Sequence, residues 1–235
     1  MKVLSYLILF FVISFSTQAQ FTKQDTLRGS ITPQRAWWDL QHYNLEVEVF
    51  PEEKSIKGVN TITYKVLESN DVMQIDLQHP MKLEKVTQNG KELSFGSYES
   101  AHYVELSKKQ KVGKEYTITL HFSGKPRIAR NPPWDGGYTW TKDSNGLPFI
   151  TTSNQGIGSS VWWPNKDHPA DEPDKGVDLI MKVPSNLVAV GNGRLISTED
   201  FGSTKSWHWR VVNPINNYGV NVNIGDYMNL SLIHI

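Results

Sequence analysis

A period of two in the hydrophobic residues is the feature that most constrains the fold of this chain. From Tyr43 to Val49, apolar residues alternate with Asn44, Glu46 and Glu48, so an extended segment would have one apolar and one polar face. The alternation recurs along the chain, and no segment keeps a period of 3.6 residues. The later apolar runs are Ile62, Tyr64 and Val66; Met73, Ile75 and Leu77; Tyr116, Ile118, Leu120 and Phe122; Val177, Leu179, Met181 and Val183; Trp207, Trp209 and Val211; and Tyr218, Val220, Val222 and Ile224.

The turn chemistry indicates that neighbouring strands run antiparallel. Asn89-Gly90 lies between the apolar residues Val86 and Leu93, and a two-residue type I′ turn needs positive φ at both central positions, which Asn and Gly tolerate. Short strands joined by such turns usually form two sheets packed face to face. We therefore predict an all-β fold, an antiparallel β-sandwich or saddle.

A long loop-rich insertion over residues 123–176 interrupts this pattern. It holds seven of the 12 Pro and four of the eight Trp. Within it, Thr139 to Thr152 predicts a hairpin around Ser144-Asn145-Gly146. Long irregular segments in compact domains usually carry a binding surface or a domain contact. We therefore expect any function encoded in this chain to lie in the insertion.

Charge and cysteine content exclude several function classes. The 24 Lys+Arg balance the 24 Asp+Glu, so the chain lacks the basic excess typical of nucleic-acid partners or of binding to anionic membranes. The absence of Cys removes thiol nucleophiles, disulfides and Cys-ligated zinc. Any chemistry must use other side chains, and we expect no nucleic-acid partner.

The N-terminus has the features of a signal peptide over residues 1–19. Lys2 precedes an apolar stretch from Val3 to Phe15, and Ala19 is a small residue suited to signal-peptidase cleavage. The stretch is shorter than the roughly 20 residues that a bilayer-spanning helix needs. We expect an exported protein, periplasmic or extracellular, with no membrane association after cleavage. Residues 20–41 then form a lead-in segment with one helical turn around Gln34 to Leu40, and the β-domain covers residues 42–228.

The sequence contains no complete catalytic or metal-binding motif. None of the seven His belongs to a His-Glu-x-x-His pair, and no serine lies in a Gly-x-Ser-x-Gly turn. We therefore predict no catalytic residue and no metal ligand in this chain. Strand histidines have structural roles in this interpretation, and the acidic residues around His168 are solvated turn residues that cap backbone N–H groups. These histidines are His102, His121 and His208, and the acidic residues are Asp167, Asp171, Glu172, Asp174 and Asp178.

Tryptophan supports a second, different hypothesis. Trp207 and Trp209 share one face of a predicted strand and are expected in the core. Trp134 and Trp140 lie in the Gly- and Pro-rich insertion, where an exposed indole can stack on a sugar. The alternative function is a stand-alone secreted β-sandwich that binds glycans or a protein partner.

Residues 151–169 carry a resemblance to a known family. This segment resembles the end of the N-terminal domain of aminopeptidase N-type zinc metallopeptidases, the gluzincins, with Gln155, Pro164, Asp167 and Pro169 on the family's frame. Three flanking segments also resemble the family's domain: Tyr43 to Tyr64, Val177 to Pro184 and Leu187 to Gly193. The resemblance covers roughly residues 35–227. The usual Cys of the family's motif is Asn165 here, which points to a packing or turn role at that position.

The resemblance implies a non-catalytic role for this chain within a larger enzyme. It implies that Gln155 is a substrate-binding residue that accepts a hydrogen bond from the free α-ammonium of a peptide, whose N-terminal amino acid the parent enzyme releases. Zinc would be held by a thermolysin-like catalytic domain that this chain lacks, so the chain alone should be inactive. We expect Trp162, Trp163 and Pro164 to form core and the face that docks that domain. Residues 229–235 are expected to be a truncated start of the next domain or a non-native tail.

Overall fold

The computed structural model describes residues 26–27 and 29–228. The predicted signal peptide, most of residues 20–28 and the predicted tail at residues 229–235 lie outside the described residues. A short helix, α1 (Pro33–Ala36), lies directly before the strands. The strands are β1 (Trp38–Phe50), β2 (Ser55–Val66), β3 (Val72–Asp76), β4 (Lys82–Gln88), β5 (Lys91–Leu93), β6 (Phe95–Tyr98), β7 (Ala101–Glu105), β8 (Glu115–Gly124), β9 (Gly137–Lys142), β10 (Pro148–Ser153), β11 (Val177–Pro184), β12 (Val188–Val190), β13 (Arg194–Asp200), β14 (Thr204–Val211) and β15 (Asn223–Gly225), with 3₁₀ turns at Ser159–Val161 and Asn217–Gly219.

An eight-stranded sheet in the order β13-β14-β11-β1-β2-β8-β4-β5 forms the main layer. The all-β prediction is confirmed, but the sheet is not purely antiparallel, because β1 and β11 pair in parallel with Tyr43 opposite Val177. The chain between these two strands forms β2 to β10, which contribute to all three sheets, and β11 then runs beside β1 in the same direction. Alternation records which face is buried and carries no information on strand direction, so the sequence could not predict this pairing.

Two smaller sheets complete the fold. A four-stranded sheet has the order β12-β15-β10-β9, and a three-stranded sheet has the order β3-β7-β6. The predicted hairpin in the insertion is confirmed, since β9 and β10 pair with Lys142 opposite Pro148. The insertion is therefore partly regular structure, and β10 leads directly into the segment with the family resemblance.

The predicted turn at Asn89-Gly90 is confirmed, whereas two other predicted elements are shorter in the structure. Asn89 and Gly90 have φ of 51° and 74° between paired Gln88 and Lys91, as a type I′ hairpin requires. The predicted helical turn at 34–40 is shorter, because α1 ends at Ala36 and β1 begins immediately afterwards. The strand predicted from Tyr218 is also shorter, since β15 covers only Asn223–Gly225.

Aromatic side chains fill the core. Trp162 and Trp163 are fully buried, and the Trp163 ring meets Tyr43 edge-on at 4.7 Å between centroids. The core prediction for these tryptophans and Pro164 is confirmed, but the prediction that they form a docking face is wrong, since the protein's own side chains cover them. Trp207 and Trp209 are only partly buried and pack against the edge of the core. Within residues 26–27 and 29–228, no helix has the length and apolar character that crossing a bilayer requires.

Candidate functional site

Gln155 lies in a turn that directly follows β10. The backbone N–H of Gly158 donates to the Asn154 carbonyl at 3.0 Å, which closes the turn. Asn154 is buried, and its Nδ2 donates to the Val220 carbonyl at 3.2 Å. Gln155 itself is exposed to solvent. The turn is therefore anchored at its first residue while its second residue is accessible.

A buried carboxylate holds the other end of this turn. The Asp167 carboxylate accepts hydrogen bonds from Ser160 N at 3.2 Å and from Ser160 Oγ at 2.5 Å. Gly158 has φ of 82°, and a Cβ at this position would lie 2.1 Å from Asp167 Oδ2. Asp167 caps backbone N–H groups as predicted, but the expectation that it is solvated is wrong, since only 7% of its surface is exposed.

A buried ion pair supports Asp167 from behind. The Asp167 N–H donates to Asp76 Oδ2 at 3.0 Å, and the same carboxylate pairs with Arg35 at 2.5 Å. Gln74 Nε2 donates to the other carboxylate oxygen of Asp76 at 2.9 Å. Arg35 is fully buried. Because Arg35 belongs to α1 and Asp76 ends β3, this pair joins two distant segments to the turn that carries Gln155.

Asn165, which replaces the family's usual cysteine, has a structural role. Its Nδ2 donates to the Trp163 carbonyl at 2.8 Å, and its Oδ1 accepts from Ser159 Oγ at 3.2 Å. Its backbone pairs with Asp76, with N–H to O distances of 2.8 and 3.1 Å. Asn165 is fully buried. The prediction of a packing role at this position is confirmed.

Lys166 is buried beside the same network. Its Nζ donates to the Trp38 carbonyl at 2.5 Å, lies 4.3 Å from the centroid of the Trp38 ring and pairs with Asp171. Burial lowers the pKa of Lys166, and the nearby Asp171 carboxylate opposes that shift. Asp171 therefore neutralises a buried cation, a stronger role than the turn capping that its sequence position predicts.

Two of the remaining acidic residues, Asp174 and Asp178, also bond side chains of the fold, and the expectation that Asp178 is a solvated turn residue is wrong, because it is buried in β11. The Asp178 carboxylate contacts His42 at 3.1 Å, His208 at 2.5 Å and Arg210 at 2.6 Å, and Asp174 accepts from Gln41 at 3.0 Å. No group of three or more His, Cys, Asp or Glu in the described part of the chain is placed to hold a metal ion. These residues do not fit a zinc site, because the carboxylates already serve cations and amide donors of the fold.

His102 has the structural role that the sequence predicts. Its ring is buried between Ser97 Oγ, 2.8 Å from Nδ1, and the Leu77 carbonyl, 3.3 Å from Nε2. Burial lowers the pKa of His102. These two partners favour the neutral ring with its proton on Nε2.

The loop that carries the exposed indole of the insertion is bonded to the end of β10, just before the Gln155 turn. Trp134 is 84% exposed, whereas Trp140 is half-buried and stacks on Tyr138 at 5.1 Å, so only one of the two predicted exposed tryptophans is exposed. Ser153 Oγ, at the end of β10, donates to the Pro133 carbonyl at 2.9 Å. The structure thus joins the loop that carries Trp134 to the strand end that precedes Gln155, two residues that belong to competing hypotheses in the sequence analysis.

Two cavities lie at different distances from the turn that carries Gln155. A cavity of about 320 Å³ adjoins it and is lined in part by Gly156, His168 and Tyr218. A larger cavity of about 570 Å³ is lined by main-sheet residues, including Glu46 and Lys182. We place the candidate site at the smaller cavity, because volume alone does not identify a site and, of these two cavities, only this one is lined by Gly156 and Gly158 of the turn that carries Gln155.

A family model and several solved structures match this chain, and all of them belong to the same family of peptidases. Residues 40–218 match a family model described as the peptidase M1 N-terminal domain. The structure of a mutant M1 zinc metallopeptidase from Deinococcus radiodurans is similar with a TM-score of 0.70 and 20% identity, over 84% of this chain and 44% of that one. The mutant bound to a Tyr-Ser-Ala substrate gives the same values.

A third structure of an M1 zinc metallopeptidase from Deinococcus radiodurans gives a TM-score of 0.68 and 21% identity, over 80% of this chain and 42% of that one. At these identities the likeness shows the fold. The chain spans less than half the length of each of these structures. A search of curated proteins finds no match.

Proposed function

Because this chain belongs to the peptidase M1 N-terminal domain family, we propose that it is the non-catalytic N-terminal domain of an exported zinc aminopeptidase, in which Gln155 binds the substrate's free α-amine. The parent enzyme would release N-terminal amino acids from peptides. This domain would dock to a thermolysin-like catalytic domain and contribute one polar contact to the shared site.

The single observation that carries the proposal is an exposed amide on an anchored turn. Asn154 is buried on one side of Gln155, and Gly158 lies against the Asp167 carboxylate on the other. A group held in place before binding loses little conformational freedom when the ligand arrives. The Gln155 backbone is therefore fixed before binding, and only its side chain has to be ordered when the ligand arrives.

The residue type also suits an ammonium ligand. The side-chain oxygen of Gln is a neutral acceptor with two lone pairs, and an ammonium group offers only donors. A Cβ at neighbouring Gly156 would meet no atom within 4 Å, so the space beside Gln155 is open. A substrate backbone can approach closely at such a position.

In this proposal the zinc ion is held by the catalytic domain, and the described residues of this chain contain no group placed to hold a metal ion. When bound in the catalytic domain, zinc would polarise the scissile carbonyl and activate water. The contribution of this chain would be to fix the position of the substrate's N-terminus, which sets the distance from the amine to the bond that is cleaved.

Kinetics of the intact enzyme test the proposal. A hydrogen bond to a charged group is worth about 1.5–3 kcal/mol, so Gln155→Ala should lower kcat/KM about 10- to 100-fold. Exposed Ser144 lies in the β9–β10 loop of the same sheet, so Ser144→Ala is a matched control.

Inhibition constants add specificity to this test. Gln155→Ala should weaken inhibition by leucine and leave inhibition by its deamino analogue, 4-methylpentanoate, unchanged. A variant with wild-type kcat/KM, or one that weakens both inhibitors equally, would show that Gln155 does not contact the amine.

Export is part of the proposal and has its own test. The apolar segment after Lys2 and the small residue Ala19 support cleavage after residue 19. The secreted or periplasmic protein should begin at Gln20 when its N-terminus is sequenced. Recovery of an uncleaved protein from the cytoplasm would contradict export.

A second function is supported by the exposure of Trp134. An indole that is 84% exposed can stack on a sugar ring, as a glycan-binding module would require. Titration of the chain with oligosaccharides, followed by tryptophan fluorescence, tests this alternative. A saturable response that Trp134→Ala abolishes would favour the binding module over the aminopeptidase domain.

A further inference from the structure

Trp134 is the most exposed of the large hydrophobic side chains in the described part of the chain, at 84%. Its neighbours Pro132 and Pro133 are exposed as well. A single exposed apolar residue needs no partner, but here an indole and two prolines form one contiguous apolar tip, and contiguous apolar surface is typical of binding sites. Exposed Trp is also the residue type most enriched among residues that dominate binding energy.

The hairpin that carries Trp134 is braced. Asp135 N donates to the Asn131 carbonyl at 2.9 Å, and Asn131 N donates back to the Asp135 carbonyl at 3.3 Å. Arg130 N also donates to the Asp135 carbonyl, at 3.1 Å, and the Arg127 guanidinium pairs with the Asp135 carboxylate. These bonds fix the backbone on both sides of Trp134, so the indole is held outward.

The same hairpin is attached to the segment that carries Gln155. Ser153 Oγ donates to the Pro133 carbonyl, and a Cβ at Gly136 would lie 2.0 Å from the Ser153 carbonyl oxygen and 3.2 Å from Ile157 Cδ1. Trp134 follows Pro133 by one residue, and Gln155 follows Ser153 by two. Consecutive Cα atoms are about 3.8 Å apart, so these links keep the Cα atoms of Trp134 and Gln155 within roughly 17 Å of each other, a distance that an extended peptide of about five residues spans.

We propose that Trp134 contacts an apolar or aromatic side chain among the first four residues of the peptide whose α-amine Gln155 binds, an inference that rests on the proposed aminopeptidase function. The occupant is a peptide rather than a sugar because the tip offers Pro132, Pro133 and an indole. A sugar site also needs polar groups for the hydroxyls. Trp134 thereby adds selectivity to an enzyme that otherwise recognises a free amine.

A substrate series on the intact enzyme tests this inference. Tetra-alanine and its four single-Phe versions give the ratio of kcat/KM for Phe over Ala at each position. In the wild type, one position should show a clear preference for Phe. Trp134→Ala should reduce that preference about 5- to 20-fold while cleavage of tetra-alanine stays within about two-fold. Trp134→Phe should retain most of the preference.

The results that would overturn this inference differ from those that would overturn the role of Gln155. An equal loss on all five peptides, with a lower Tm, would assign Trp134 to domain docking and overturn the inference. An unchanged preference would overturn it as well. If the wild-type enzyme has no aminopeptidase activity, the proposed function is wrong. If the wild type is active but its preference for Phe does not change in the Trp134 variants, only this inference is wrong.

Discussion

Gly158 lies against the carboxylate of Asp167, and a Cβ on Gly158 would be 2.1 Å from Oδ2. The turn that carries Gln155 therefore depends on the lack of a side chain three residues further on. Asp167 is itself held by Asp76, so the position of the turn is coupled to the buried ion pair with Arg35.

Gly158→Ala should destabilise the protein more than Gly156→Ala. Both glycines have φ of 82°, but only Gly158 faces the carboxylate, while a Cβ on Gly156 meets nothing within 4 Å. We expect about 1 kcal/mol of strain for Gly156→Ala and at least about 2–3 kcal/mol for Gly158→Ala. Urea denaturation measures both values. Equal losses would show that the Asp167 contact does not constrain the turn.

Removing the buried guanidinium of Arg35 should lower the free energy of unfolding far more than removing an exposed ammonium group. Arg35→Met leaves the Asp76 carboxylate buried without its cation, which typically costs about 3–5 kcal/mol. Lys175→Met breaks the exposed pair with Glu115 and should cost less than about 1 kcal/mol. Denaturation midpoints and m-values check the comparison, and a small effect of Arg35→Met would mean that the pair does not hold α1 in place.

Stability should fall as the pH drops from about 7 to 5. Burial lowers the pKa of His102 below its ordinary value of 6.5. The unfolded chain then binds the proton first, so the stability contributed by the neutral ring is fully present above pH 6.5 and is lost as the pH falls from there to the lowered pKa of the folded protein.

His102→Gln should flatten this dependence, because Gln keeps hydrogen-bonding groups and does not titrate. His42 and His168 also have pKa values lowered by burial, so some pH dependence should remain in the variant. The free energy of unfolding at pH 7, 6 and 5 gives the slope. Identical slopes for the wild type and the variant would contradict the assignment to His102.

The 235-residue chain alone should not hydrolyse aminoacyl-nitroanilides. Its sequence contains no His-Glu-x-x-His motif, and the described residues offer no metal-binding group. Incubation with and without added zinc, followed by absorbance of the released chromophore, tests this expectation. Zinc-dependent turnover that survives purification would require a metal site in the chain and would contradict the division of roles proposed above.

Much of the fold could be predicted from local pattern. The alternation through Tyr43 to Val49 predicts a strand with one buried face, and β1 has that burial pattern. Asn89-Gly90 predicts the β4–β5 hairpin, because positive φ at two successive residues is decided by those residues alone. The hairpin in the insertion follows from the same kind of signal at Ser144-Asn145-Gly146.

The site was predictable only in part. The family frame singled out Gln155, and its exposure is compatible with that prediction, while its role stays a prediction. Capping by Asp167 was predicted from its position before Pro169, but not its burial or its contact with Asp76. Those depend on segments more than 90 residues apart in the chain, for which a single sequence contains no signal.

The sequence by itself determined which residues extend, which faces are apolar and where tight turns form, since each depends on residues close together in the chain. Only the tertiary structure decided that β11 enters parallel to β1, that Trp162 and Trp163 are covered rather than available for docking, and that the loop carrying Trp134 is bonded to the strand end before Gln155. Those outcomes depend on hydrogen bonds and packing between distant segments, whose free energies exist only once the whole chain has folded.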